Sequence, residues 1–354
     1  MRILHVITSL RTGGAEKLMV DLLPRMKQQG HRVDLCVFDG VQTPFYEELE
    51  RKGVKVIPLG HSVYSPLHIF KLIPLMKQYD VVHAHNTACQ YYVAVAGCFS
   101  SCKKFTTEHN TTNKRRGRGW WLCLDRWMYK RYDRIVCISN ETYNNLLLYL
   151  FGNEKVANSQ FVVVYNGIDV EYYRNVMEAQ KEENFTIMMV GAFRWEKDQK
   201  TVIRALKYLN AKYKVWFVGG GDDALKQECE ALAKKEGVTE RVFMLGVRED
   251  VKNLYAQASV IVQSSHVDGF CLAAVEGMAS GRPVIVADIP GMGDVVRGYG
   301  ILFPHEDERA LSDAIVKVCE DRDYREEIVT RCLERAKMFS IDVMTQKYLD
   351  LYKE

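Results

Sequence analysis

Long hydrophobic runs are missing from this sequence of 354 residues. A helix that spans a bilayer needs about 20 consecutive apolar residues, and every apolar run here is shorter. The first ten residues, MRILHVITSL, contain one basic residue and an apolar stretch too short for a signal peptide. We therefore expect a cytoplasmic protein without a membrane-spanning segment.

Cysteine pairs with CxxC spacing are also missing. Ten cysteines are scattered along the chain, none of them in a CxxC pair, and several stand inside apolar runs. This distribution is typical of buried free thiols in a reducing compartment, and it argues against a disulfide framework.

Several nucleotide-binding and metal-binding motifs are absent. A dinucleotide-dependent oxidoreductase would have GxGxxG after a strand and an acidic residue about 20 positions on, and neither half of the chain has this pattern. There is no Gly-Lys-Ser/Thr P-loop. No Asp-x-Asp pair, with which many sugar transferases hold a metal ion, stands at a suitable strand end. His83 and His85 end a predicted strand without an evident third ligand, so we expect no bound metal.

What the sequence does contain is an ordinary globular composition with uneven charge. Hydrophobic residues make up 47% and charged residues 26%, and a chain of this length predicts two domains. Residues 1–180 contain 23 Lys and Arg against 16 Asp and Glu, whereas the remainder contains 25 against 29. A basic first half suggests contact with an anionic partner.

Short apolar runs alternate with longer amphipathic ones, in a series that restarts near residue 185. This alternation is typical of parallel sheets covered by helices. We predict an α/β protein with two Rossmann-like doubly wound domains that face each other across a cleft. The predicted parts are an N-terminal domain (1–174), a linker (175–184), a C-terminal domain (185–339) and a last helix (340–354) that crosses back to the first domain. The predicted strands are Arg2–Ile7, Arg32–Phe38, Val54–Ile57, Asp80–His83, Lys103–Thr107, Arg134–Ile138 and Phe161–Val164, then Phe185–Val190, Lys214–Val218, Val242–Leu245, Val260–Gln263 and Pro283–Ala287.

Two features after strands of the first half are candidate ligand contacts. Gly13 and Gly14 open a helix, where free N–H groups and the helix dipole favour a phosphate, although a plain tight turn explains them equally well. His109 follows another strand and is expected to point towards the cleft. Taken alone, a single histidine is more often structural than catalytic.

A basic and aromatic stretch, Lys114–Trp121, precedes an amphipathic helix. Basic residues beside tryptophans dock on anionic lipid headgroups, and RNA binding uses similar chemistry. A solvated loop next to a packed helix is the alternative. The acidic second half disfavours nucleic acid, so we predict contact with an anionic membrane surface.

The second half contains two candidate elements. Arg194 and Lys197 lie in a turn between a strand and a helix, where cations neutralise a diphosphate unless they are merely solvated. Asp268 precedes Gly269 and Phe270, which are expected to present free N–H groups at a helix start. Glu276 follows about two helical turns along. The element offers acceptors for hydroxyl groups and donors for phosphate, and its apolar flanks argue against simple surface charges.

At these residues the chain resembles the family-4 retaining glycosyltransferases of the GT-B fold. The resemblance runs almost end to end and includes GGAEK, HAHN, TEHN, CISN, VYNGID, the Lys197 turn and the carboxylate-x7-Glu element with the following GMASGRPVIVAD. It implies retaining transfer of a sugar, without metal or cofactor, from a nucleoside diphosphate sugar such as a UDP-sugar. The acceptor is expected to be a saccharide or lipid-linked saccharide in cell-surface polysaccharide or glycolipid synthesis, with the enzyme peripheral on the inner face of the membrane.

The resemblance also implies roles for single residues, with two departures. Asp268 stands where the family usually has glutamate. Ala192 stands where the family commonly has a phosphate-binding arginine, and Arg194 is its candidate replacement. This loss leaves open a catalytically weak, sugar-nucleotide-binding subunit of a glycosyltransferase complex as an alternative. The resemblance implies that Gly13 and Gly14 contact the donor phosphates and that His109 lies near the anomeric carbon. It implies that Lys197 binds the diphosphate and that Glu276 binds the ribose. Asp268 is implied to bind hydroxyl groups of the sugar, with the amides of Gly269 and Phe270 nearby.

Overall fold

The computed structural model describes residues 1–11, 13–109, 119–153, 158–174 and 184–354. The chain forms two compact units, one from Met1–Gly167 with Ile341–Glu354 and the other from Ile168–Ser340. The C-terminal segment thus belongs to the first unit. The division between the units precedes the predicted linker, whose residues 175–183 lie outside the described ranges.

The first unit contains, in its described residues, a seven-stranded parallel sheet. Its strands are β1 (Arg2–Ile7), β2 (Arg32–Asp39), β3 (Lys55–Gly60), β4 (Val81–His85), β5 (Lys103–Glu108), β6 (Arg134–Cys137) and β7 (Phe161–Val163). The order is β3-β2-β1-β4-β5-β6-β7, and all adjacent pairs are parallel. Every strand predicted for this half is present, and most of the strand residues are buried, as expected for a parallel sheet covered by helices.

Helices connect these strands. They are α1 (Gly14–Gln28), α2 (Pro44–Arg51), α3 (Leu67–Met76), α4 (Thr87–Ala96), α5 (Gly119–Tyr129) and α6 (Asn140–Phe151), and the C-terminal helix, α15, spans Ile341–Lys353. Local signals set several ends: the Thr43 hydroxyl caps α2, Ser139 caps α6, and Gly152 ends α6 with a φ of +70°. Apolar residues of α1 and α15 form one buried cluster with Ile3 and Ile7 of β1.

The second unit contains, again in its described part, a six-stranded parallel sheet. Its strands are β8 (Phe185–Val190), β9 (Tyr213–Val218), β10 (Val242–Gly246), β11 (Val260–Gln263), β12 (Val284–Ala287) and β13 (Ile301–Phe303), in the order β10-β9-β8-β11-β12-β13. The sequence predicts five of these strands and misses β13, which is three residues long. The helices are α7 (Val170–Arg174), α8 (Gln199–Ala205), α9 (Asp223–Lys235), α10 (Val251–Gln257), α11 (Leu272–Ala279), α12 (Met292–Val296), α13 (Glu308–Glu320) and α14 (Arg322–Met338).

Both sheets reverse their strand order once, which confirms two doubly wound Rossmann-like units. The reversal lies between β1 and β4 in the first unit and between β8 and β11 in the second. In open α/β sheets, ligands bind beyond the carboxyl ends of the strands at such a switch point. The loops after β1, β4, β8 and β11 therefore lie where such sheets bind ligands. None of the helices in the described residues is long and apolar enough to cross a bilayer.

Candidate functional site

An ion pair joins the two loops at the switch point of the second unit. Lys197 ends a single 3-10 turn, Trp195–Lys197, that follows β8, and its Nζ lies 2.5 Å from Oδ2 of Asp268, which follows β11. Burial, the largest single effect, lowers the pKa of the Lys197 ammonium, but the charge and hydrogen bond of Asp268 together with the nearby Cys271 thiol leave that pKa raised. The site therefore holds a permanent cation beside a carboxylate.

The Asp268 carboxylate also organises the start of α11. Its Oδ1 accepts hydrogen bonds from the backbone amides of Phe270 at 3.2 Å and Cys271 at 2.8 Å. The prediction of a free amide at Phe270 is therefore wrong. The helix begins only at Leu272, so the aspartate folds back over the preceding turn and takes up these donors. The Phe270 ring is buried and contacts Phe339 edge-on at 5.1 Å, which anchors the turn.

Gly291 supports this turn from behind, and sequence reasoning did not identify it. Its φ is +81°, and a Cβ placed there would lie 2.6 Å from the carbonyl oxygen of Asp268 and 2.8 Å from that of Gly269. The amide of Met292 donates to the same Asp268 oxygen at 3.1 Å. Only glycine fits so close an approach at this backbone angle. The Pro-Gly dipeptide after β12 is the signal that would have pointed to it.

A glycine loop holds the turn that carries Arg194 and Lys197. A Cβ on Gly219 would lie 2.2 Å from the carbonyl oxygen of Gly191, and one on Gly221 would lie 2.5 Å from backbone atoms of Phe193. Both glycines have positive φ, at +147° and +132°. This loop thus serves close backbone packing beneath the cationic turn.

Arg194 lies on the exposed side of the same turn. It lines a cavity of about 140 Å³ together with Asp198, Lys200, Arg204 and His266. The Arg194 charge is close enough to lower the pKa of Lys197, although the effect of Asp268 is larger. The turn therefore offers two cations at the carboxyl end of β8, in spite of the alanine at position 192.

Glu276 lies on α11 and is half-buried. Its Oε2 accepts a hydrogen bond from the hydroxyl of Tyr255 at 2.9 Å, and Tyr255 itself is buried. The carboxylate is thereby held in a fixed orientation on the helix that Asp268 starts. Lys197, Arg194, Asp268, Gly269, Phe270 and Glu276 all belong to the second unit.

In the first unit, a carboxylate already lies over the glycine loop. Gly13 caps α1, and a Cβ on it would lie 2.2 Å from Oε2 of Glu16. Burial raises the pKa of Glu16, while its own backbone amide and the side chain of Asn86, which follows β4, hydrogen-bond the carboxylate and oppose that rise. The carboxylate that lies at the start of α1 is therefore that of Glu16, and contact of Gly13 and Gly14 with donor phosphates stays a prediction.

His109 follows β5 and lies next to another histidine. Its Nε2 is 3.1 Å from Nδ1 of His85, and burial lowers the pKa of His109 to about 4. A neutral imidazole at this position is therefore expected at physiological pH. His109, Gly13 and Gly14 are the predicted site residues of the first unit.

Three buried histidines lie side by side on β1 and β4. The sequence shows no third ligand beside His83 and His85, but strand pairing places His5 opposite His83, and ligand atoms of the three lie within 4.8 Å of one another. Hydrogen bonds already engage them: His83 contacts Tyr352 and Thr107, and His5 contacts His85. A metal ion would have to displace these bonds.

The basic and aromatic stretch is only partly described. Lys114–Arg118 lies outside the described residues. Trp120 and Trp121 lie in the first turn of α5, their ring centroids are 4.1 Å apart in a stacked arrangement, and Trp120 is 62% exposed. An exposed aromatic pair therefore follows the predicted basic segment.

Two family models match nearly the whole chain in succession. One described as Glycosyltransferase Family 4 matches residues 12–172, and one described as Glycosyl transferases group 1 matches residues 174–335.

Named relatives align over most of their length. The chain is 25% identical to the GalNAc-alpha-(1->4)-GalNAc-alpha-(1->3)-diNAcBac-PP-undecaprenol alpha-1,4-N-acetyl-D-galactosaminyltransferase of Campylobacter jejuni, over 100% of this chain and 99% of the relative. It is 24% identical to the UDP-Gal:alpha-D-GlcNAc-diphosphoundecaprenol alpha-1,3-galactosyltransferase of Escherichia coli, over 91% of this chain and 89% of the relative.

Among solved structures, the chain matches Anabaena HepE, crystallised with UDP and glucose. The TM-score is 0.86 at 19% sequence identity, over 100% of both chains. This likeness confirms the predicted GT-B fold.

Proposed function

Because this chain belongs to the glycosyltransferases that join a family 4 domain to a group 1 domain, we propose that it transfers a sugar from a UDP-sugar to a saccharide or lipid-linked saccharide. The proposed transfer retains the anomeric configuration and requires neither a metal ion nor a cofactor. The proposed transfer is a step in the synthesis of a cell-surface polysaccharide or glycolipid. The names of the two relatives, which act on undecaprenol-linked sugars, support this acceptor class.

The Lys197–Asp268 pair is the observation that carries the proposal. Breaking the bond between sugar and phosphate builds negative charge on the departing nucleotide. A fixed cation in the site stabilises that charge in the transition state, and one such donor is worth roughly two to three orders of magnitude in rate. Lys197 is charged and oriented by Asp268, and Arg194 adds a second positive charge on the same turn.

The two oxygens of Asp268 suggest how donor binding proceeds. Oδ1 is held by backbone amides, whereas Oδ2 is held only by the side-chain ammonium of Lys197 among the contacts described. We propose that the donor diphosphate takes over Lys197, which releases Oδ2 to accept a hydrogen bond from a hydroxyl of the transferred sugar. The carboxylate itself stays in place because Oδ1 remains bound to the turn.

Retention is supported by the family resemblance and by the relatives. Both named relatives form α linkages according to their names. An α product is the outcome that retention gives when the nucleotide sugar is itself α-linked. The proposed acceptor therefore attacks from the side that the nucleotide leaves.

An exposed apolar face on α3 supports a position at the membrane. Leu67 and Phe70 on this helix are 61% and 70% exposed, and Tyr64 just before it is 78% exposed. Residues 51–79 contain five Lys and Arg and no Asp or Glu. Exposed aromatic and aliphatic side chains among basic residues bind the surface of anionic bilayers. We propose that this face, together with Lys114–Trp121, places the enzyme beside a lipid-linked acceptor on the cytoplasmic leaflet.

A thermal-shift panel of nucleotide sugars tests the donor proposal. A ligand at 100 times its Kd stabilises the native state by about 2.7 kcal/mol, so a UDP-sugar should raise the Tm equally in EDTA and in magnesium. Nucleotide release that requires an added undecaprenol-linked acceptor then separates an active transferase from a weak donor-binding subunit. Stabilisation by a donor without any acceptor-dependent release would favour the subunit.

A further inference from the structure

Three imidazole rings form a hydrogen-bonded chain that ends at His109. Nδ1 of His5 lies 2.9 Å from Nε2 of His85, and Nδ1 of His85 lies 3.1 Å from Nε2 of His109. The three residues come together because β1, β4 and β5 are neighbours in the sheet. His5 lies on β1, His85 ends β4, and His109 follows β5. His5 and His85 are fully buried, and His109 is half-buried.

The rings are neutral, so each carries a single N–H. Burial lowers the pKa of His5 to about 3 and that of His109 to about 4, and it lowers the pKa of His85 well below its ordinary value. A neutral imidazole donates from one nitrogen and accepts at the other. Each of the two contacts must therefore pair one donor with one acceptor, and the direction of the first fixes the direction of the second.

The N–H groups of the three rings can all point in one of two directions along the hydrogen-bonded series, and the two arrangements differ at its buried end, His5. If the N–H groups point outwards, His5 donates to His85, His85 donates to His109, and Nε2 of His5 is a lone pair. If they point inwards, Nε2 of His5 carries the hydrogen. That atom is buried and has no hydrogen-bond partner among the described residues.

The outward direction has the lower free energy. A buried N–H without a partner loses its hydrogen bond to water, and such orphaned donors are rare in native proteins. Unpaired acceptors are tolerated somewhat better. The orphaned nitrogen of His5 is therefore the lone pair, and the hydrogen lies on Nδ1 of His85, directed at Nε2 of His109.

We infer that His85, oriented in turn by His5, holds His109 in the tautomer that carries its hydrogen on Nδ1. His109 then presents an N–H donor and not a basic lone pair at that nitrogen. The consequence for catalysis rests on the proposed function: His109 donates to an oxygen of the donor sugar and does not act as a general base through Nδ1. His85 is a positioning residue, since it acts through His109.

His83 provides a matched control. It is as deeply buried as His85 and lies beside it on β4, with ring centroids 4.4 Å apart. Its nitrogens contact the hydroxyl groups of Tyr352 at 2.5 Å and Thr107 at 2.7 Å, and it makes no hydrogen bond in the chain to His109 among those described. A change at His83 disturbs the same core without altering the donor to His109.

Nitrogen NMR of the full chain labelled with 15N-histidine tests the inference. The His109 signals are identified by their loss in His109→Asn. We expect a protonated Nδ1 and an unprotonated Nε2 at His109 in the wild type. His85→Leu should shift His109 to a mixture of tautomers, whereas His85→Asn, whose amide nitrogen takes the place of Nδ1, should keep the wild-type tautomer. His83→Gln should leave it unchanged.

A protonated Nε2 at His109 in the wild type overturns the inference, and this measurement does not require any variant to fold. A His109 tautomer that stays unchanged in folded His85→Leu also overturns it.

Kinetics separate the positioning role from the proposed function. His85→Leu should lower kcat by roughly 10- to 100-fold, as expected for a misplaced catalytic contact, and His85→Asn should restore most of the loss. If His109→Ala impairs transfer and His85→Leu does not, the positioning role is wrong. If no nucleotide sugar supports transfer by the wild type, the proposed function fails, while the tautomer result still decides the inference.

Discussion

Lys197 and Asp268 are 71 residues apart in the chain, yet the Nζ of one lies 2.5 Å from Oδ2 of the other. The contact exists because β8 and β11 are neighbours in the sheet and both loops leave their strands at the same edge. The lysine is held by a carboxylate whose other oxygen is fixed by the backbone. A cation prepared in this way is suited to a task that requires a defined position.

Replacing Lys197 by alanine should lower turnover far more than donor affinity. Negative charge develops on the leaving nucleotide between the bound donor and the transition state, so loss of the lysine should reduce kcat by roughly 100- to 1,000-fold with a smaller change in KM for the donor. Steady-state kinetics measure both. Lys207→Ala, which removes a lysine paired with Glu236 in the same unit, is the control. Equal losses in kcat and in donor affinity would contradict the role of Lys197.

Gly291→Ala should impair activity more than stability alone explains. The added Cβ would push on the carbonyl oxygens of Asp268 and Gly269 and displace the turn that holds the carboxylate. Gly237→Ala is a matched control, because Gly237 also has a positive φ, at +69°, but its Cβ would meet nothing within 4 Å. Gly237→Ala should lose about 1 kcal/mol from backbone strain, and Gly291→Ala should lose more because its Cβ also meets backbone oxygens; urea denaturation measures both losses. Equal kcat/KM values for the two variants would argue against a supporting role for Gly291.

The buried histidines should make the first unit sensitive to acid. Their folded-state pKa values lie below that of an unfolded histidine, near 6.5. The unfolded chain therefore binds more protons as the pH falls from about 6.5 towards 4, and stability falls with it. Each histidine contributes up to about 1.4 kcal/mol per pH unit in this window.

Hydrogen exchange of β1, β4 and β5 at pH 7, 6 and 5 measures this effect locally. The protection of these strands should decrease steadily as the pH is lowered. His5→Phe, whatever its stability at pH 8, should show a shallower dependence because one titrating group is gone. Protection that is constant from pH 7 to pH 5 would be inconsistent with neutral buried histidines.

The exposed face of α3 should govern binding to anionic vesicles. Leu67→Ser with Phe70→Ser removes two exposed apolar side chains, each worth roughly 1.5–3 kcal/mol when fully buried, so co-sedimentation with phosphatidylglycerol vesicles should fall at least tenfold. Phe243→Ser changes an exposed aromatic residue of the second unit and should leave binding unaltered. If the double variant binds as the wild type does, α3 is not the membrane contact.

Much of the fold follows from the sequence, because the strands are buried apolar runs between amphipathic helices. The strand β13 was missed since three residues after Gly298-Tyr-Gly300 do not make a visible pattern. The sequence also predicted that Lys197 and Asp268 follow strands of the second unit, at the edge where parallel sheets bind ligands, and the structure places both there. Their roles in donor binding stay predictions.

The sequence did not predict the contacts that join neighbouring strands or that form within and between turns. His5 looks like any residue of an apolar strand, and only the pairing of β1 with β4 places it beside His83 and His85. The amide of Phe270 was expected to be free, because the sequence does not show that Asp268 folds back onto it. Gly291 acts through a close approach to a loop that precedes it by more than 20 residues. The Pro290-Gly291 dipeptide indicates a turn, but it does not show which loop that turn approaches.

The most direct test of the account is the rate of acceptor-dependent nucleotide release in EDTA compared with that in manganese. We predict equal rates in the two conditions, together with a large fall in both for Lys197→Ala, because the lysine and not a divalent ion stabilises the departing nucleotide. Activity that is abolished by EDTA and restored by manganese would contradict this central claim.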